Sequence, residues 1–324
     1  MKSIINIILL IQALLHSFYS QVILTPSLLA SWHPDFATSS SLNLTNRNIT
    51  HIEASSFFGL TSLTHLYLDQ NELTHLEANT FSPLVQLRVL SLNNNRIVSL
   101  HNYAFASLGA SLEEILLGWN ELCELNPDLL VNLTNLRVLY LYQNKITSID
   151  LHTFAPLVNL RRLYLAGNEL SELHEATFAS LSGLTSLFLY ENKLSSLHAK
   201  LFSSLINLQK LDLDQNELTR LDAHTFDSLS SLEELRLDFN HLTHLDSFEF
   251  GRLVKLRELW LNDNSIVSMY RGSFIGLLSL RVVHMYGNPI SLVLPSFVTS
   301  LCSAPSLGCV VCVSSNCSHS LSKD

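Results

Sequence analysis

Metal binding and nucleophilic attack are the first chemistries invited by fourteen histidines and five cysteines in 324 residues. A metal site needs several such ligands at bonding distance of one ion. His75, His101, His152, His174, His198, His224 and His244 recur at differing offsets, mostly on what reads as an outward surface. They are expected to be solvated, and no metal site is expected. Cys302, Cys309, Cys312 and Cys317 crowd the C-terminal end, where Cys309-x-x-Cys312 has zinc-ligand spacing. Four cysteines also allow two disulfides, in three pairings. A secreted setting favours disulfides, with the tetrathiolate zinc site as the alternative. Cys123 is left over and reads as a free, partly buried thiol. Glycine-rich phosphate loops, GxSxG and HExxH are all missing, so neither an enzyme nor a cofactor is expected.

The elements that must position any site follow a fixed period. LTHLYLDQNELTHLEANTFSPL (Leu63–Leu84), LRVLSLNNNRIVSLHNYAFASL (Leu87–Leu108) and LQKLDLDQNELTRLDAHTFDSL (Leu208–Leu229) superpose at 24 residues. One asparagine column runs Asn71, Asn95, Asn120, Asn144, Asn168, Asn192, Asn216, Asn240, Asn264 and Asn288, with a single step of 25. Ten residues after each comes Phe81, Phe105, Phe154, Phe178, Phe202, Phe226, Phe250 or Phe274, with Leu130 and Val298 as exceptions. An earlier degenerate copy has Leu42, Leu44, Ile49 and Phe57, and carries Arg47 in the asparagine column. About eleven turns result. Leu163-Tyr164-Leu165 alternates as a strand with one buried face. The spacing Leu170, Leu173, Phe178, Leu181 fits a tight coil with irregular or 3₁₀ segments. No turn can bury its leucines alone, so stacking creates the core. Where each strand ends, unpaired backbone groups would cost about 1–3 kcal/mol each. The asparagine amide is expected to pair them, in its own turn and the next.

The pattern LxxLxLxxNxLxxLxxxxFxxL resembles the typical 24-residue class of extracellular leucine-rich repeat, as in Toll-like ectodomains, Slit-like guidance proteins and lamprey lymphocyte receptors. The resemblance implies an α/β fold, a leucine-rich repeat solenoid (horseshoe) with a parallel concave sheet and an irregular or 3₁₀ convex side. It covers roughly four-fifths of the chain. Extracellular members commonly carry cysteine-rich caps, and here the pattern departs. Residues 21–38 hold no cysteine, so Val22–Trp32 is expected to cap the first turn by packing. Asn288-Pro289 opens a C-terminal flank whose cysteines arrive late. The expected layout is a signal peptide over 1–20, a cap over 21–38, the solenoid over 39–301 and a Cys/Ser-rich tail over 302–324. The leader reading rests on Lys2 followed by the apolar run Ile4–Leu15, a buried helix being its alternative. No later run is long enough to span a membrane. The chain is therefore expected to be secreted, or the outer part of a protein anchored elsewhere.

A formal charge of −9 disfavours nucleic acid and anionic membrane surfaces as partners. The positions four and two before each asparagine point out of the sheet. They bring together Tyr140, Tyr142, Tyr164, Phe188 and Tyr190, with Arg162 alongside. An acidic stretch follows at Asp212, Asp214, Glu234, Asp238, Glu258 and Asp263, interrupted by Lys210, Arg236 and Trp260, with Trp119 and Phe239 adjacent. Exposed tyrosine and tryptophan clusters suit protein interfaces. The expected activity is protein recognition or adhesion, toward a partner with apolar and basic surface. A structural matrix protein that binds fibrous or carbohydrate-bearing partners is the alternative. Asn43, Asn48, Asn132 and Asn316 lie in glycosylation sequons.

Overall fold

A computed structural model describes residues 21–246, 249–270, 272–292, 310–312 and 314. Each turn contributes one three-residue strand, from Ser41–Asn43 and His65–Tyr67 through Arg162–Tyr164 to Val282–His284. With Val310–Cys312 added at the end, they form one twelve-stranded sheet, parallel throughout. The register follows the sequence period, as in Leu139↔Leu163↔Leu187. Equivalent residues therefore stack in columns. The central aliphatic residue of each strand from Ser41–Asn43 to Val282–His284 is buried, and its neighbours face the other way.

Behind the sheet, the phenylalanines form their own column. Phe57, Phe81 and Phe105 stack, and after the interruption at Leu130 the stack resumes from Phe154 to Phe274. Leu130 closes a 3₁₀ turn, Pro127–Leu130, and is itself buried. Phe-to-Phe centroid distances are 5.9 to 6.4 Å. Neighbouring strands lie about 4.8 Å apart, and the rings on the open sheet face approach to 4.2 and 4.5 Å. Spacing that widens from sheet face to phenylalanine column makes the stack an arc, with the sheet on its inner, concave side. Bulky phenylalanine opposite narrow β-strands is thus the sequence cause of the curvature.

The asparagines hold the turns together, pairing backbone of their own turn as expected but of the previous turn rather than the next. Asn168 Oδ1 accepts from the Ile146 N–H at 3.0 Å. Its Nδ2 donates to the carbonyls of Leu141 and Leu165, both at 2.9 Å, and of Ala166 at 3.3 Å. Leu141 and Ile146 belong to the preceding turn, and the pattern repeats along the column. The asparagine therefore ties its own turn to the previous one. This explains Arg47: the first turn of the sheet has no sheet turn before it. Arg47 instead lays its guanidinium over the Trp32 ring at 5.1 Å.

At the N-terminal end, Val22–Leu24 pairs with Ile49–Ile52, and the helix Pro26–Trp32 buries Leu29. Thr25 caps that helix by accepting from the Leu28 N–H at 3.1 Å, and Pro26 supplies the preset first turn. It is the one α-helix among the described residues. Two short extended pairs, His75–Leu76 with Ser99–Leu100 and His244–Leu245 with Ser268–Met269, replace irregular coil on the descending side. Leu173, expected in the core, is half-buried against it.

Candidate functional site

The register dictates the site. Tyr140, Tyr164 and Phe188 end three successive strands and pair in register, so their rings must stack on the open face. Tyr140 and Tyr164 lie 4.2 Å apart at 11°, and Tyr164 and Phe188 lie 4.5 Å apart at 9°. Tyr142 meets Tyr140 edge-on at 6.0 Å. In the second outward column, small and large residues alternate as Gly118, Tyr142, Ala166, Tyr190. A Cβ on Gly118 would lie 2.4 Å from the Tyr142 ring, so the missing side chain is what lets that ring settle. Burial in the stack, with a hydrogen bond that the Tyr140 hydroxyl donates to Tyr164, pushes the Tyr140 phenol up to about 12. Burial raises Tyr142 and Tyr190 as well. Tyr140, Tyr142 and Tyr190 are therefore neutral, and all four tyrosines are half-buried rings that each keep an edge to solvent. Arg162 is exposed beside them.

Trp119 and Phe239 sit one residue before the asparagine column, where the backbone turns left-handed in every sheet turn. Their φ angles are 55° and 50°, and both side chains are half exposed. Bulky residues rarely adopt that conformation. Other turns fill the position with Gln, Asn, Glu, Asp or Gly.

Within the acidic stretch Glu258 is exposed and Glu234 and Asp263 are half-buried, but the other three carboxylates are not the open surface expected from the sequence. Asp212, Asp214 and Asp238 are 8%, 6% and 2% exposed. Arg236 lies among them, with Nη2 at 3.0 Å from both Asp214 and Asp238. Its guanidinium also stacks on Trp260 at 5.2 Å, and Trp260 lies on His284 at 3.6 Å. A concave face crowds side chains from adjacent turns, so alternation alone overstates exposure. Ser91, Asn262 and His284, also expected on the open face, are buried for the same reason. His284 is the residue that sequence reasoning undervalued: burial lowers its pKa and keeps the imidazole neutral.

The remaining candidates are dispersed. His75, His101, His152, His174, His198, His224 and His244 are exposed, and no group of metal-ligating side chains occurs among the described residues. Cys123 is free but exposed, correcting the partly buried thiol, because it lies on the outward coil just past Asn120. Asn43, Asn48 and Asn132 are exposed, while Asn316, Cys302, Cys309 and Cys317 lie outside the described residues. Cys312 is buried at the end of the sheet. No helix among the described residues is long and apolar enough to cross a membrane.

Burial raises Asp214 to about 7, Asp212 to about 6 and, on the far side of the coil, Glu249 to about 7. A carboxyl whose folded pKa exceeds its unfolded value stabilises the fold below the unfolded pKa. That stabilisation is lost as pH rises through the folded pKa. His284 works in the opposite sense, so the informative quantity is a difference between chains. Asp214→Asn should gain thermal stability on the parent as pH rises from 5 to 8. Parallel melting curves across that range would refute the assignment.

The leucine-rich repeat family profile matches over residues 40–97, 85–145, 110–170, 159–218, 182–242 and 230–290. No curated protein matches the chain. Among solved structures, a leucine-rich repeat protein of Leptospira interrogans is 26% identical. The match covers 85% of this chain and 72% of that one, with a TM-score of 0.64. The TLR13 chain in a TLR13–ssRNA13 complex is 25% identical over 86% of this chain, with a TM-score of 0.58. The Toll–Spatzle complex of Drosophila gives 22% identity, a TM-score of 0.64 and 90% coverage of this chain. The chain spans 52% of the TLR13 chain and 47% of the chain matched in the Toll–Spatzle complex. A period of 24, a ladder of bonded asparagines and a repeat profile spanning the sheet agree: the chain belongs to the leucine-rich repeat proteins.

Proposed function

We propose that the chain is an extracellular protein-recognition or adhesion module that binds its partner on the concave face. The carrying observation is the stack Tyr140–Tyr164–Phe188, flanked by Tyr142 and Tyr190, which leaves aromatic edges open on a rigid parallel sheet. Such rings bury large areas at low entropic cost, because the sheet has already ordered them. No catalytic constellation competes for this surface among the described residues, and the reading is of a binding protein rather than an enzyme. The leader-like N-terminus and the sequons at Asn43, Asn48 and Asn132 support secretion and glycosylation. The bonded state of Cys312 supports the disulfide reading of the tail.

The test is capture from extracellular material by the mature domain, compared with a Tyr164→Ala, Phe188→Ala variant. Loss of a central aromatic anchor costs an interface on the order of 2 kcal/mol or more, so the double variant should lose the partner while keeping its melting temperature. A folded variant that captures the same partner with equal efficiency sinks the reading. RNA is the second reading, because TLR13 is solved with ssRNA13 and stacked rings also suit bases. The formal charge of −9 and the carboxylates beside the rings oppose it. Capture abolished by ribonuclease treatment would favour RNA over protein.

A further inference from the structure

Three carboxylates on the concave face share one guanidinium, and the sharing is unequal. Arg236 holds Asp238 through Nε at 3.3 Å and Nη2 at 3.0 Å. Asp214 receives the same Nη2 at 3.0 Å, and Asp212 is approached only to 3.9 Å. Asp238 is thus held by two donors of the guanidinium, Asp214 by one, and Asp212 only loosely, its Oδ1 accepting from the Asp214 N–H at 3.2 Å. Neighbouring cations are committed elsewhere: Lys210 bonds Glu234 at 2.8 Å, and Arg257 bonds Glu233 at 2.9 Å.

A second observation shows unfilled bonding capacity. Nine buried side-chain N or O atoms among the described residues have no hydrogen-bond partner, and four of them fall in this patch. They are Asp214 Oδ1, Trp260 Nε1, Asn262 Oδ1 and His284 Nδ1. Asp214 and Asn262 are 6% and 1% exposed, so their acceptors are desolvated without being satisfied. Such groups are costly to leave unpaired. Asp212 pairs in register with Phe188, and Tyr190 occupies the position beside Asp214 in the second column. These two incompletely satisfied carboxylates therefore stand where the aromatic ladder ends.

We propose that Asp212 and Asp214, with Phe188 and Tyr190 beside them, form a subsite for one cationic side chain of the protein partner, a lysine or an arginine. This rests on the concave face being the recognition surface. The aliphatic stem lies along the rings, and the cationic head donates to the carboxylates, combining cation–π attraction with charge-assisted hydrogen bonds. A carboxylate turns readily about its terminal bond, so Asp214 can present Oδ1 to an entering donor while Oδ2 keeps Arg236. Arg236, anchored twice on Asp238, stays in place as the wall of the subsite.

The test titrates the full ¹⁵N-labelled chain with N-acetyl-arginine amide, N-acetyl-lysine amide and the uncharged N-acetyl-norleucine amide, read at the Trp260 indole N–H and the Asp214 amide. The two cations should give saturable shifts, norleucine none, and Asp214→Asn and Asp212→Asn should each weaken binding about tenfold. Both variants are isosteric, and a melting temperature no lower than the parent's shows that each is folded. Equal responses to norleucine, no saturable response to either cation, or unaltered binding by both folded variants would overturn the subsite. Failure of the concave-face reading appears separately, as partner capture indifferent to Tyr164→Ala, Phe188→Ala, because the small probes report on the carboxylates alone.

Discussion

Phe178→Ala should lower the unfolding free energy by about 3–5 kcal/mol, the range for deleting a fully buried aromatic ring. Phe178 is 0% exposed and lies between Phe154 at 6.3 Å and Phe202 at 6.4 Å. Truncation breaks two stacking contacts and opens a void that neither neighbour can fill. Each ring is held by its own turn, and the sheet fixes the spacing between turns. The consequence reaches function because Phe178 lies in the same turn as Tyr164. The phenylalanine column keeps the outer spacing wide, and that width compresses the inner rings to 4.2 and 4.5 Å. In a solenoid, stability is a sum of turn and nearest-neighbour terms, so the damage should centre on the turns around Tyr164. Urea unfolding followed by hydrogen exchange checks both parts. A loss below about 1 kcal/mol, or protection lost evenly along the chain, would refute the assigned role.

Most of the architecture was legible because it is written in columns. The step of 24 placed the strands, and the asparagine and phenylalanine columns identified the two sides of each turn. Columns also predicted that Tyr140, Tyr164 and Phe188 share a face. They did not predict how crowded that face is. From alternation alone Asp212, Asp214 and Asp238 belong to the open surface, because alternation within a strand says nothing about lateral neighbours. A concave face draws Arg236, Trp260 and His284 over them. Alternation of Gly118, Tyr142, Ala166 and Tyr190 was the signal that some positions make room for others. The asparagine direction was likewise ambiguous, since an amide can serve either neighbouring turn. Arg47 in the first turn was the available clue: the residue that reaches backward is dispensable where nothing lies behind it.

That directionality yields a second large effect. Asn168→Ala should cost about 3 kcal/mol, mostly through one orphaned group rather than four equal bonds. The Leu141 carbonyl also accepts from Asn144, and the Leu165 carbonyl also accepts from Asn192. Those acceptors keep a partner when Asn168 is truncated. The Ile146 N–H donates to Asn168 Oδ1, and its removal leaves a buried donor at the junction of two turns. Asn168→Asp separates the contributions. It keeps an acceptor for Ile146 but sets a carboxylate against the carbonyls of Leu141, Leu165 and Ala166, at 2.9 to 3.3 Å from the amide nitrogen in the parent chain. At neutral pH the aspartate variant should be at least as unstable as the alanine one. It should recover part of the loss on acidification, because protonation restores one donor and removes the repulsion. Arg47→Ala, at the corresponding position of the first turn, should cost much less, since only its contact with Trp32 is lost. Equal losses for Arg47→Ala and Asn168→Ala would mean that the column acts by packing, and the backward-reaching amide would lose its place as the joint between turns.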